Sequence, residues 1–210
     1  MLALTLCGIS TTDAAENPGT VGAMTRIISG FAGSLTLAVP GTGTRPTSER
    51  VREAVFSALD ARDALTGARV ADLYAGSGAL GLEAASRGAA SVVLVENGSA
   101  AVRACRANAA LLLKNAPRGL TIETSGQAVG PFLAASGATW DVVFLDPPYD
   151  LGGQELDETL ALLAPRLSAD AVVVLERSSR SPEPTWPAGL ELDRRKDYGD
   201  TTLWWASTTE

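Results

Sequence analysis

The 210-residue sequence predicts an α/β fold, with a mostly parallel seven-stranded sheet covered by helices on both faces, and three observations carry that expectation. From Arg69 onward short apolar runs alternate with stretches of helical period. A glycine-rich turn closes the first of those runs, and two consecutive prolines cut off the fourth. Repeated strand–helix–strand units need right-handed crossovers, which lay their strands side by side in one direction.

Residues 1–23 are rich in Thr, Ala and Gly, lack periodicity and are followed by Met24; they are expected to be a disordered extension, with Met24 as the natural start. Two apolar stretches separated by glycines, 25–30 and 34–39, predict a hairpin. Pro46, Thr47 and Ser48 then announce a helix on which Val51, Val55, Phe56 and Leu59 share one side while Arg50 and Arg52 point elsewhere. The repeating unit places strands at 70–74, 91–96, 120–124, 140–145 and 171–176, with helices near 79–88, 99–113, 127–136 and 154–167. After Pro187 the pattern changes to two strand-like segments, 190–194 and 201–206, joined by a turn at Tyr198-Gly199-Asp200 so short that the pair must be antiparallel. Residues 24–64 thus read as a hairpin and helix, and 65–208 as the main domain.

At 46% hydrophobic and 20% charged, the chain can bury one sizeable core. No apolar run approaches the roughly 18 residues that span a bilayer, and no basic residue precedes the apolar segment 2–9, so neither a membrane partner nor a secretory signal is expected. The expected location is the cytoplasm. Cys7 and Cys105 stand far apart and suit reduced thiols; neither makes a metal pattern, and no metal is expected. Histidine is absent, which removes it as general base, nucleophile activator or zinc ligand. The net charge of -7 argues against a molecule coated in positive potential. Nearly all its basic residues are arginines, however, and Arg26, Arg45, Arg50 and Arg52 collect near one end, with Arg194, Arg195 and Lys196 near the other. Arginine forks suit phosphate oxygens, although any one of these can equally be solvated surface charge.

Asp72-Leu-Tyr-Ala-Gly76-Ser-Gly78-Ala-Leu-Gly81 follows the first strand of the repeating unit and opens a helix. Glycines there allow a tight turn and close approach of a ligand to the backbone. Glu96 ends the next strand, where a carboxylate can accept the hydroxyl hydrogens of a ribose, so an adenosine-bearing ligand is expected over glycines that merely pack a helix. Nicotinamide and S-adenosylmethionine enzymes share this arrangement; an acid just before the glycines, Asp72, suits the cationic methionine end of the second. The plainer reading of Asp72 is a cap on nearby loop amides.

Asp146-Pro147-Pro148-Tyr149 directly follows the apolar run Val142-Val143-Phe144-Leu145. Each proline fixes φ and lacks an amide donor, so the strand stops there and a rigid turn begins. The Asp146 carboxylate and the Pro147 carbonyl can each accept one hydrogen of an exocyclic base amine, aligning its lone pair, and Tyr149 offers a flat face for an unstacked base.

On these residues the chain resembles the amino-group methyltransferases with a DPPY-type motif and, more narrowly, the bacterial RsmD family of guanine-N2-methyltransferases acting on small-subunit (16S) ribosomal RNA. The likeness runs through 24–30, 45–56, 72–78, 146–149 and 198–201; 146–149 alone says only amino methylation, and the opening segment with the stretch from Arg45 to Glu53 carries the narrower family likeness. The resemblance implies a Rossmann-like methyltransferase fold with an antiparallel last strand, and S-adenosylmethionine as cofactor. Asp146, Pro147 and Tyr149 would hold the guanine, while Asp72, Tyr74, Gly76, Gly78, Glu96 and Gln127 would hold the cofactor. Arg26, Arg45, Arg50 and Arg52 would contact ribosomal RNA, within an assembled small subunit. Methylation of another amine, in DNA adenine or cytosine or in protein glutamine, shares the same chemistry and stays open. A nicotinamide dehydrogenase would leave the proline motif idle and lacks a histidine donor; a non-catalytic binding module would not need Asp146. Cys105, in mid-helix among alanines and arginines, is expected to be a small buried side chain and no nucleophile. Glu176 and Arg177 are expected to form a local ion pair, and at least one of Trp204 and Trp205 to lie in the core.

Overall fold

The computed structural model describes residues 24–40 and 49–209. The expected extension 1–23, Arg45 and the Pro46-Thr47-Ser48 helix start lie outside the described residues. Strands β1 (Met24–Arg26) and β2 (Thr36–Ala38) pair antiparallel as the expected hairpin and precede helix α1 (Glu49–Asp60). The repeating unit runs β3 (Arg69–Leu73), α2 (Ala79–Ser86), β4 (Ser91–Val95), α3 (Ser99–Leu113), β5 (Thr121–Ser125), α4 (Val129–Ala135), β6 (Trp140–Leu145), α5 (Gly153–Leu163) and β7 (Leu167–Ser178), followed by β8 (Leu190–Tyr198) and β9 (Thr201–Thr208).

These last seven strands form one sheet in the order β5-β4-β3-β6-β7-β9-β8, in which β9 runs antiparallel to both neighbours. The chain steps outward from β3 to β5 and then returns to the other side of β3 with β6, in parallel register through Leu73 and Leu145. That reversal opens a crevice beyond the carboxyl ends of β3 and β6.

Several boundaries depart from the sequence reading, among them those of β8, which runs on to Tyr198, and β9, which runs to Thr208. Ala164 keeps helical angles, φ -48° and ψ -46°, but Pro165 has no amide to donate to the helical ladder, so α5 stops at Leu163 and a single 3-10 turn, Ala164–Arg166, follows. Strand β7 consequently begins early, at Leu167, and absorbs an irregularity between its pairings with Trp140 and Val142, where Asp170 takes φ 60°.

Alternation along the central strands feeds two apolar layers. Val70, Leu94, Val142, Phe144 and Trp205 pack toward Phe56, Leu59, Leu82 and Leu112 of α1, α2 and α3. Leu73, Val143, Leu145, Leu175 and Trp204 pack toward Leu133, Leu160 and Leu163 of α4 and α5. Both tryptophans are buried, one per face, which exceeds the expectation of at least one.

The expectation for Arg52 is corrected: it is 2% exposed and belongs to the inner side of α1. Positions 52, 55, 56 and 59 follow the i, i+3, i+4, i+7 spacing of one helix face, so Arg52 turns in with the apolar residues. Its Nη2 donates to the Arg26 carbonyl at 2.9 Å, and burial lowers its pKa. Arg50 is exposed, as expected.

The β1–β2 ribbon is fastened to the sheet domain by polar residues of α2 and α3. Fully buried Glu83 accepts from the amides of Ile28 and Ser29 at 2.6 and 3.0 Å and from Arg87 Nε at 2.7 Å. Ser86 donates to the Ser29 carbonyl at 2.5 Å, and its Oγ and backbone oxygen accept from Ala32 and Phe31. Asn108 holds both the amide and the carbonyl of Ala38.

Candidate active site

The turn after β3 is built from left-handed residues: Tyr74 at φ 65°, Gly76 at 59° and Gly78 at 79°. Gly78 caps α2, and a Cβ on it would stand 2.9 Å from Leu94 Cδ1, so space as well as φ selects glycine there. Asp72, 1% exposed, accepts the Gly81 amide at 2.8 Å. It therefore does serve as a cap on the start of α2, and its carboxyl also borders the crevice. Burial pushes its pKa up to about 8; the Gly81 amide opposes that rise, and the charges of Asp146 and Glu96 add to it.

Glu96, just past β4, divides its oxygens between two amides: Oε2 accepts from Gly76 at 3.0 Å and Oε1 from Gly98 at 2.7 Å. Each carboxylate oxygen keeps acceptor capacity for a ligand hydroxyl. The Gly78 amide donates to the Ala75 carbonyl. With the amides of Gly76, Gly78 and Gly81 already engaged, the turn is a poor cradle for a pyrophosphate and a good wall for a nucleoside. From behind, Cys105 Sγ reaches the Gly76 carbonyl at 3.3 Å and Asn108 Nδ2 the Ser77 carbonyl at 2.9 Å. The Cys105 thiol is fully buried and pushed up to about 12, chiefly by burial, which leaves it inert as a nucleophile.

Across the crevice, β6 delivers Asp146 and Pro147. The Asp146 amide donates to the Leu73 carbonyl at 3.4 Å, tying the start of the proline turn to the end of β3. Pro147 is buried, Asp146 half-buried, and Tyr149 projects with 62% exposure. A cavity of about 790 Å³ unites the two sides, bordered by Asp72, Tyr74, Gly76 and Glu96 on one and Asp146, Pro147 and Tyr149 on the other. Its size is in the range of small-molecule sites. Gln127 lies on its rim beyond β5, and Arg52 on the wall nearest the ribbon. Gly78 stays behind the turn. Arg26 stands outside the cavity, its Nη2 and Nε held by Glu49 Oε1 at 2.8 and 3.0 Å.

The expected local pair of Glu176 and Arg177 is corrected, and with it a residue of the site comes to light that the sequence does not announce. Arg177 is 8% exposed and turns under the proline turn, where Nη2 donates to the Leu151 carbonyl at 2.8 Å and Nη1 to that of Pro148 at 3.4 Å. Glu83 and Asn108 are likewise absent from the sequence-based expectations; the signal that could have found them is a polar residue at a core position of an alanine-rich helix.

Among the described residues no group of His, Cys, Asp or Glu is arranged to hold a metal ion, and no helix is long and apolar enough to cross a membrane.

A family model described as conserved hypothetical protein 95 matches residues 25–207. The chain is 37% identical over 177 residues to ribosomal RNA small subunit methyltransferase D of Escherichia coli, covering 83% of this chain and 85% of that one. The solved Escherichia coli protein yhhF superposes with TM-score 0.74 at 35% identity, covering 89% of this chain and 98% of that one. Magnesium protoporphyrin IX methyltransferase of Synechocystis, solved with bound S-adenosylmethionine, shares the fold at TM-score 0.59 and 20% identity over 76% of this chain and 79% of that one. With the turn, the acid after β4 and the proline motif lining one cavity, these likenesses place the chain in the RsmD family of S-adenosylmethionine-dependent methyltransferases.

Proposed function

We propose that the protein methylates the exocyclic N2 amine of a guanine in small-subunit (16S) ribosomal RNA, within an assembled particle in the cytoplasm. The observation that carries the reading is the placement of Asp146 and Pro147 in one cavity with Asp72 and Glu96, on strands joined side by side through Leu73 and Leu145. The name and 37% identity of the Escherichia coli relative support the RNA substrate.

When bound, S-adenosylmethionine would supply an electrophilic methyl group to the amine nitrogen, with a neutral thioether as the leaving group. A base amine is a weak nucleophile because its lone pair is delocalised into the ring. The Asp146 carboxylate and the Pro147 carbonyl each accept one amine hydrogen, which orients the group and favours a pyramidal nitrogen with its lone pair toward the methyl. Once methylated, the nitrogen is cationic and passes its surplus proton to Asp146 or to water. Tyr149, exposed at the mouth, stacks on the extruded base. On the other wall Glu96 receives the ribose hydroxyls, Asp72 faces the methionine end, Tyr74 and Gly76 form the floor, and Gln127 borders the adenine. Arg26 and Arg50, exposed on the ribbon and α1, bind RNA phosphates, and Arg45 joins them in that role; Arg52, being buried, acts inside the cavity wall.

The test is transfer of labelled methyl groups to small subunits, naked RNA and DNA side by side, with nucleoside analysis of each product. Label in N2-methylguanosine from subunits is expected. Label in a methyladenine, methylcytosine or protein fraction overturns the assignment.

A further inference from the structure

We propose that Arg177 is a positioning residue of the acceptor site, a buried clamp that fixes the proline turn and thereby the direction in which Tyr149 projects. This rests on the reading of Asp146-Pro147-Pro148-Tyr149 as the amine-holding turn.

A proline ring locks φ but leaves ψ free. Pro148 also restricts ψ of Pro147 before it, so the first freely rotating backbone bond after the proline pair is ψ of Pro148, which sets both where its carbonyl points and where Tyr149 leaves the loop. That carbonyl has two donors, the Leu151 amide at 3.0 Å and Arg177 Nη1 at 3.4 Å. Arg177 Nη2 takes the Leu151 carbonyl at 2.8 Å, so one rigid guanidinium spans the peptide planes on both sides of Tyr149 and Asp150. Tyr149 itself, at 62% exposure, has little packing to hold it. The clamp comes from solid structure: Arg177 lies two residues beyond Leu175, which pairs with Leu145 at the end of β6, so the sheet register sets its distance from the turn.

The chemistry at Arg177 is also unlike that of a residue serving packing alone. Its Nε has no hydrogen-bond partner, and the groups it caps are neutral carbonyls. Burying a guanidinium against neutral groups is costly, and a carboxamide could cap one carbonyl without that cost. What the guanidinium adds is reach and a planar fork able to hold two carbonyls at once. Burial lowers its pKa, while the neighbouring Tyr74 and Asp146 favour its charged form.

The test is a double-mutant cycle on the full chain with Arg177→Met, Tyr149→Ala and the pair, measuring kcat, KM for the RNA substrate and cofactor affinity. Arg177→Met is expected to lower kcat/KM by about 10- to 100-fold, the usual effect of misplacing a substrate-holding group by about 1 Å, with cofactor affinity within about twofold. In the Tyr149→Ala background the same change should cost less than about threefold, because the side chain it positions is gone. Arg177→Lys, with charge but no fork, should fall between wild type and Arg177→Met, and carries the cycle if the Met variant does not fold. Additive losses in the cycle, unchanged activity, or a parallel loss of cofactor affinity overturns the clamp. The cycle is run on whichever nucleoside the wild type methylates, so label in another base would sink the guanine assignment and leave this test intact.

Discussion

Asp72 is a buried carboxyl whose ionisation should be visible in both stability and cofactor binding. In the folded chain its pKa is pushed up to about 8, against an ordinary value of 3.8. Between these values the folded state holds a proton that the unfolded state has released, so this group makes stability fall as pH rises from about 4 to about 8. The limiting slope is about 1.4 kcal/mol per pH unit, so on the order of 3 kcal/mol is lost between pH 5 and pH 7. Asp141 works in the opposite sense and in another window. Its hydrogen bonds with Arg69 hold its carboxyl well below the usual range, so its contribution is complete above about pH 4 and is lost only in stronger acid. Asp72→Asn mimics the protonated acid, keeping an oxygen for the Gly81 amide and removing the titration. Urea unfolding of both proteins at pH 5, 6, 7 and 8 should show the wild type losing ground steadily to the variant. A cation bound beside Asp72 should also draw its proton off, so S-adenosylmethionine affinity should climb with pH by as much as about tenfold per unit below 8 in the wild type and stay flat in Asp72→Asn. A stability difference that does not change over pH 5–8 would refute the buried-carboxyl argument.

Three further outcomes are expected. Gly30→Ala places a Cβ 1.9 Å from the Ser86 backbone oxygen at φ 83°, where neither partner can yield, so the ribbon should come off α2; RNA methylation should be lost while calorimetry still shows cofactor binding. Asp146→Ala should keep cofactor affinity and reduce kcat by about 10²- to 10³-fold, whereas a non-catalytic binder would transfer no methyl in either form. Replacing exposed Arg26 and Arg50 together by Gln should weaken RNA binding and reduce the salt dependence of affinity by about one unit of slope for each phosphate no longer neutralised, since the Arg26–Glu49 pair is a surface pair worth little to stability; an unchanged slope would place the RNA elsewhere.

The parts of this protein written locally could be read before folding. The alternation of apolar runs and helical stretches foretold β3 to β7 and their helices, because strand and helix periods are properties of neighbouring residues. Two prolines end β6 wherever it lies, and the left-handed turn at 74–78 needs its glycines in any surroundings. Side-chain partners across the fold could not be read in the same way. Glu96 serves a loop residue 20 positions away, Glu83 one 55 away, and Arg177 a carbonyl 29 away. Arg52 and Arg177 carried the marks of surface charge and of a local pair, yet helix phase turned the first inward and sheet register brought the second beneath the turn. The sequence by itself determined which segments become strands, turns and helices, since short-range sterics and hydrogen bonding settle that. Which charges are buried, what they grip and how rigidly Tyr149 is presented were decided only by tertiary structure, because burial and long-range hydrogen bonds exist only once distant segments share a core.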